Sequence, residues 1–242
     1  MRTPRFYQAQ ALVPGQSIAL CDDAVQHIAR ALRMKSGDSI ALFNGDGVEY
    51  SATLTHVAKR EVQAQINEAL NINRSSTLQV QIGQCISRGD RFDYAIQKST
   101  ELGMHSLTPL WSERCEVKLN AERSCKKRQQ WQQLAISACE QSLRTTVPHI
   151  AAPTQLRDWI QQCDAEVKLV LHHHCAKPLS QFEPPQSVAL LIGPEGGLTE
   201  EEVEAAIASG FSPVALGPRV LRTETAPVAA QAVLQYLWGD LS

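Results

Sequence analysis

From Pro4 to about Asn67, apolar and polar residues alternate with period two in short runs: SIAL (17–20), DSIALF (38–43), VEYSATLTHV (48–57) and EVQAQI (61–66). Turn formers separate them at Pro14-Gly15, Ser36-Gly37-Asp38 and Asn44-Gly45-Asp46-Gly47. Side chains along a strand point to opposite faces in turn, so this rhythm predicts a small curled sheet or β-barrel. One helix is expected to interrupt it, with Asp22 or Asp23 as cap and Val25, Ile28, Ala29 and Leu32 on one face.

The stretch NEALNINRSS (67–76) is polar and aperiodic and reads as a linker. After it the rhythm changes. TLQVQIGQCI (77–86), SLTPLW, VKLVLH, SVALLIG and PVALG are strand-like. RFDYAIQKSTELG (91–103), residues 121–144, LRDWIQQ (156–162), EEEVEAAIASG and a C-terminal run from about Thr223 to Trp238 are helix-like. Strands alternating with helices predict a parallel sheet covered on both faces. The expected division is a β-rich domain over 1–70 and an α/β domain over 75–242.

Composition narrows the function. Of 242 residues, 43% are hydrophobic and 20% charged, which supports a packed core and excludes wholesale disorder. A net charge of -2 excludes gripping nucleic acid by bulk positive charge but leaves room for a local patch. The first 35 residues supply one: Arg2, Arg5, Arg30, Arg33 and Lys35 face only Asp22 and Asp23, a local charge of +3. Phe6 and Tyr7 beside Arg5 are aromatics suited to stacking on bases, so this basic edge is a candidate RNA platform. No apolar run reaches the roughly 18–20 residues of a membrane span, and no secretion signal is expected. The seven cysteines form no C-x-x-C pair, which fits reduced thiols and a cytoplasmic location.

Two bends carry the candidate chemistry. In ALLIGPEGGLTEEEVEAA (189–206) an apolar strand meets Gly193-Pro194-Glu195-Gly196-Gly197, and Thr199 with Glu202 forms a capping box for the next helix. Such a turn lets backbone approach a ligand closely, at the strand ends where open α/β sheets bind. It is not a phosphate loop, and no G-x-G-x-x-G follows a strand, so ATP and dinucleotides are disfavoured. The second bend, VALGPRVLRTETAPVAA (214–230), crowds Arg222, Thr223, Glu224 and Thr225 where a helix start requires a single cap. QKSTELG (97–103), SERC (112–115) and ACEQSLR (138–144) add Lys98 with Glu101, Glu113 with Arg114, and Glu140 with Gln141 and Arg144; an exposed salt-bridged face is the plainer reading of the first and a solvated helix face of the last. His172-His173-His174 ahead of Cys175 lacks a second ligand cluster, and no metal is expected.

Together MRTPRFY, HIARALRMKSGD, QKSTELG, SERC, ACEQSLR, LLIGPEGGLT and LGPRVLRTETA resemble the RsmE family of ribosomal RNA small-subunit methyltransferases, in order and over nearly the whole chain. The resemblance implies a PUA-like β-barrel for RNA followed by a SPOUT domain, a parallel sheet with a deep trefoil knot. It implies S-adenosylmethionine as cofactor, N3 of a uridine in 16S rRNA of the small ribosomal subunit as acceptor, and a homodimer. Carried over by position, Leu171, His172, Ile192, Gly193, Pro194, Glu195, Gly196, Leu216, Gly217, Val220, Leu221 and Thr223 would wall the cofactor. Arg222 is the expected cation for charge developing on the base, and Glu224 or Glu195 the expected proton acceptor. Two other readings fit the residues alone: a non-catalytic RNA-binding assembly factor with a vestigial pocket, and a different nucleotide-using α/β enzyme.

Overall fold

The structure, a computed structural model, describes residues 3–72, 74–172 and 178–241. Arg2, His173, His174 and Cys175, named above, lie outside the described residues. The chain divides into two compact units, one of Met1–Ser75 with Cys139–Val147 and one of Ser76–Ala138 with Pro148–Ser242.

In the first unit β1 (Arg5–Tyr7), β2 (Ser17–Ala19), β3 (Ser39–Phe43), β4 (Glu49–Val57) and β5 (Val62–Leu70) form one sheet in the order β1-β3-β4-β5-β2. Only β1 on β3 is parallel. The alternation has its expected consequence: Ile40, Leu42, Ala52, Leu54, Val62, Ala64 and Ile66 pack into one core. Strand β5 runs through to Leu70, into the stretch expected to be linker. Its last residues lost the alternating signal because Asn67, Glu68 and Ala69 are all exposed. Register shifts at Ser51/Ala52 and Leu54/His56 mark where the long β4–β5 pair bends.

The helix α1 (Asp22–Gln26) is capped by Cys21 through its backbone, so neither aspartate is the cap; both lie in the first turn, where their charge favours the helix dipole. From His27 to Leu32 the backbone widens into a π-helical turn that ends at Arg33 with φ 51°. The wider turn breaks the 3.6-residue rhythm. Ile28 stays buried, Ala29 is half-buried and Leu32 is 42% exposed rather than sharing their face.

Arg5 requires a second correction. It is 7% exposed, and its Nε donates to Glu49 Oε2 at 2.7 Å. Nη1 donates to the carbonyls of Cys139 (2.8 Å) and Glu140 (3.3 Å), and Nη2 to that of Arg144 (3.0 Å). The guanidinium lies 4.6 Å above the Phe43 ring. A buried guanidinium with four of its five N–H donors on internal acceptors is not presented to a phosphate, so Arg5 leaves the RNA-facing set. Phe6, 1% exposed and packed in the core of this unit, leaves the base-stacking set. Arg30, Arg33 and Lys35 are exposed.

The second unit contains β6 (Gln79–Cys85), α2 (Arg91–Glu101), β7 (Ser106–Trp111), α3 (Ala121–Ser142, whose last residues count with the first unit), β8 (His149–Ile150), β9 (Thr154–Gln155), α4 (Leu156–Gln162), β10 (Val167–Leu171), β11 (Ser187–Ile192), α5 (Glu200–Ala208), β12 (Ser212–Val214) and α6 (Thr225–Trp238). Its sheet runs β12-β10-β11-β6-β7-β8, with β9 also paired to β7, and every neighbour is parallel. Burial on both faces explains the unbroken apolar run VALLI (188–192). One face packs Val80, Ile82, Phe92, Ile96 and Leu234; the other packs Cys85, Leu110, Ile160, Leu191 and Phe211. At Gly83 a Cβ would lie 2.6 Å from the Trp159 ring, so this strand position needs glycine for α4 to lie close. Strand β12 is shorter than PVALG suggested, because the chain leaves the sheet after Val214. Among the described residues, no helix is long and apolar enough to cross a membrane.

Candidate functional site

Strands β10, β11 and β12 end side by side, and a cavity of about 690 Å³ opens beyond their carboxyl ends. Its walls are Leu171 and His172 at the end of β10, residues 192–198 from the end of β11, and residues 214–217 and 219–224 from the end of β12. Arg91, Arg114, Glu200 and Ala226 complete it. The two bends distant in sequence thus share one cavity, and each residue expected there, including Arg222, Glu224 and Glu195, lies on its wall. Lys98 and Glu101 form an ion pair of 2.7 Å outside that wall. Glu140 accepts from the Tyr7 N–H at 3.0 Å within the first unit.

The bends are joined by direct bonds. The Thr223 hydroxyl donates to the Gly193 carbonyl at 2.9 Å and accepts from Gln84 Nε2 at 3.0 Å. Gln84 is the penultimate residue of β6 and Thr223 is buried, so three segments meet at one buried hydroxyl. Arg91, the first residue of α2, adds an electrostatic tie: Nη1 lies 3.1 Å from Glu195 Oε1, and Nε 3.9 Å from Glu224 Oε1. Glu195 also accepts from the Arg88 N–H at 2.9 Å. Partial burial opposes ionisation of Glu195, but the Arg88 and Glu195 N–H groups and Arg91 outweigh it and hold the carboxyl below its usual range.

On the other flank Arg114 Nη1 donates to the carbonyls of Gly196 (3.0 Å) and Leu198 (3.3 Å). Glu202 completes the expected capping box with Thr199, and its second oxygen accepts from the Glu113 N–H at 2.8 Å. The SERC turn therefore braces the first bend. Arg91 and Gln84 escaped the sequence reading because a polar residue at a helix start or strand end is common. Their signal was position: Gln84 lies near the carboxyl end of a central parallel strand, and Arg91 opens the helix that follows it.

Beside the turn 195–196 a smaller pocket of about 370 Å³ includes Cys115. The Cys115 sulfur sits 3.2 Å from Ser112 Oγ. A hydrogen bond from Cys85, resisted by burial and aided by Ser112, pulls the Cys115 thiol down to about 6, while Cys85 is pushed up. Alkylation of Cys115 by iodoacetamide is expected to accelerate about tenfold from pH 5 to pH 7, as the thiolate fraction rises through that midpoint. Mass mapping of the labelled thiol checks this; an ordinary alkaline midpoint would refute it.

The second unit is thus a parallel α/β sheet with a ligand-sized cavity built from strand-end bends, in a chain that also carries a small β-sheet unit. Residues 74–235 match a family described as an RNA methyltransferase domain, and residues 20–67 one described as an RNA methyltransferase PUA domain. A ribosomal RNA small subunit methyltransferase E of Buchnera aphidicola (from Schizaphis graminum) is 35% identical over 100% of this chain and 99% of its own length. The Bacillus subtilis protein of that name is 33% identical, covering 94% and 93%. Among solved structures, a putative methyltransferase of Legionella pneumophila in complex with S-adenosylmethionine has TM-score 0.97 at 42% identity, with both chains covered in full. A ribosomal RNA small subunit methyltransferase E of Neisseria gonorrhoeae, bound to S-adenosylmethionine, has TM-score 0.94 at 40% identity, again with full coverage. The chain belongs to the ribosomal RNA small subunit methyltransferase E family.

Proposed function

We propose that this protein transfers a methyl group from S-adenosylmethionine to N3 of a uridine in 16S rRNA of the small ribosomal subunit. The observation that carries the reading is the convergence of the two bends on one cavity, held by Thr223 between Gly193 and Gln84. The cavity suits the cofactor's chemistry. Leu171, Ile192, Leu216 and Leu221 offer apolar faces to an adenine ring, while Glu195, Glu224 and Arg91 offer both signs of charge to an amino-acid tail and a sulfonium. S-adenosylmethionine, when bound, supplies an electrophilic methyl group on a good leaving group.

The residues must then position a weak nucleophile and manage its proton. Positioning alone reaches roughly 7–11 kcal/mol in well-oriented reactions. Arg222 faces the charge that grows on O2 or O4 of uracil as N3 loses its proton. Between the expected acceptors, Glu195 is engaged by Arg88 N–H and Arg91 and kept acidic, which makes it a poor base. Glu224, with only the 3.9 Å approach of Arg91, is the better candidate. Because N3 is the pairing position, the uridine must be unpaired or flipped first.

The same reading assigns RNA binding to a PUA-like barrel over 1–70, with Arg2, Arg30, Arg33 and Lys35 as phosphate contacts, and methyl transfer to a SPOUT domain over 75–242. It includes the family's trefoil knot, as well as a homodimer working in the cytoplasm. Mass spectrometry of rRNA nucleosides from cells lacking the protein tests the reaction: loss of N3-methyluridine from 16S rRNA, restored by the wild-type chain, is expected, and an unchanged nucleoside profile would overturn it. The Arg91 tie has its own test. Arg91→Ala leaves Glu195 and Glu224 without their shared cation and should weaken S-adenosylmethionine binding about three- to tenfold by titration calorimetry, with Arg91→Lys intermediate.

A further inference from the structure

We propose that the first two turns of α3 and the loop before them form a second RNA-backbone surface, separate from the basic edge of the first unit. This rests on the rRNA substrate assigned above. Residues 118–128 carry Lys118, Arg123, Lys126, Lys127 and Arg128 against Glu122 alone, a local charge of +4 in a chain of net charge -2. Lys118, Arg123 and Lys126 are exposed and Lys127 is half-buried. Among the described residues, no acidic group lies within ion-pair distance of Lys118, Arg123 or Lys127. Lys126 has one partner, Glu122 at 2.8 Å, and its side chain stays 69% exposed. Arg128 donates to the Ile150 carbonyl at 3.0 Å and serves the fold, so it is left out of the surface.

The placement works against the helix. Cations near a helix amino end oppose the macrodipole, and Arg123 and Lys127 stand four apart as like charges, each a local cost. The last turn, where cations would help, has none. Asn120 closes the amino end, its Oδ1 accepting from the Arg123 N–H at 2.9 Å, so capping does not require the charges. Exposed Gln129 and Gln130 follow on the same half of the helix and add hydrogen-bonding amides. A sequence that keeps unpaired cations where they cost helix stability is matched to a polyanion, and the flexible lysine stems suit irregular phosphate positions. The surface also has the right address. Arg114 lines the cavity, and Lys118 follows four residues later, at most about 14 Å of chain away. A strand whose uridine occupies the cavity then has its neighbouring phosphates within reach.

The test is the full-length chain with Lys118→Gln, Arg123→Gln, Lys126→Gln and Lys127→Gln together, beside a charge-retaining Lys118→Arg/Lys126→Arg/Lys127→Arg chain. Binding to protein-free 16S rRNA is measured between 50 and 200 mM salt. The glutamine variant should lower the slope of log affinity against log salt by about 2–3, so that the wild type loses about 40-fold more affinity than the variant across that range. The arginine variant should keep the wild-type slope, and calorimetric S-adenosylmethionine affinity should be the same in all three. An unchanged slope in the glutamine variant overturns the proposal. So does weakened binding to small subunits with unchanged binding to protein-free rRNA, which would make this a face for an acidic protein. A wild type that binds neither RNA nor S-adenosylmethionine would instead overturn the functional reading beneath it.

Discussion

Arg222→Ala is expected to slow methyl transfer by about 10²–10³-fold while S-adenosylmethionine affinity stays within about threefold. The main chain at this position is fixed: the Arg222 carbonyl accepts from the N–H groups of Thr225 and Ala226, both at 2.9 Å, where α6 begins. Its side chain is exposed on the cavity wall, and among the described residues no ion pair engages it. A fixed backbone with an uncommitted guanidinium is what a developing charge on the substrate needs. On the proposed transfer to N3 the cost falls on turnover, because neutral uridine would bind with little charge at O2 or O4 and the interaction would strengthen only as the proton leaves. Single-turnover transfer of labelled methyl separates the two effects. Arg222→Lys should recover part of the loss, and raising the pH, which supplies the N3 anion without help, should narrow the gap between Arg222→Ala and wild type. An alanine variant with normal turnover would remove Arg222 from the mechanism.

The features that the sequence exposed are those whose cause is local. Period-two runs became β3 and β4, the unbroken VALLI became a strand covered on both sides, and Thr199 with Glu202 became a capping box because each depends on near neighbours in the chain. The cavity was legible for a similar reason: two bends rich in glycine and proline follow apolar strands, and in a parallel sheet strand ends collect on one side. Features whose cause is distant were hidden. Strands β8 and β9 are two residues each and exist only because β7 is there to pair with. Leu32 reads as the next apolar position of a helix until the backbone widens before it. Arg91 is one polar residue among many until Glu195 and Glu224 meet it.

Arg5→Ala should destabilise the first unit by about 3–5 kcal/mol, the usual result of removing one partner of a buried ion pair. Glu49 would keep its charge with only Arg74, 3.7 Å away and partly exposed, to balance it, and the carbonyls of Cys139 and Arg144 would each lose the donor that Arg5 supplies. Burial disfavours the charged Arg5, but Glu49 beside it and carbonyl acceptors on its other nitrogens keep the guanidinium the required form. Lysine should rescue poorly, since one ammonium cannot span acceptors fixed on Glu49, Cys139 and Arg144. The measurement is equilibrium urea unfolding followed by a probe in residues 1–75, together with the salt dependence of rRNA binding at a temperature where the variant remains folded. A cation that serves the fold lowers the unfolding midpoint and leaves the salt slope alone, whereas a phosphate contact would do the reverse. The sequence placed Arg5 beside two aromatics in a basic stretch, a pattern shared by RNA platforms and by buried arginines that stack on a ring. What decides between them is Glu49, forty-four residues away, which arrives on β4 to claim the guanidinium.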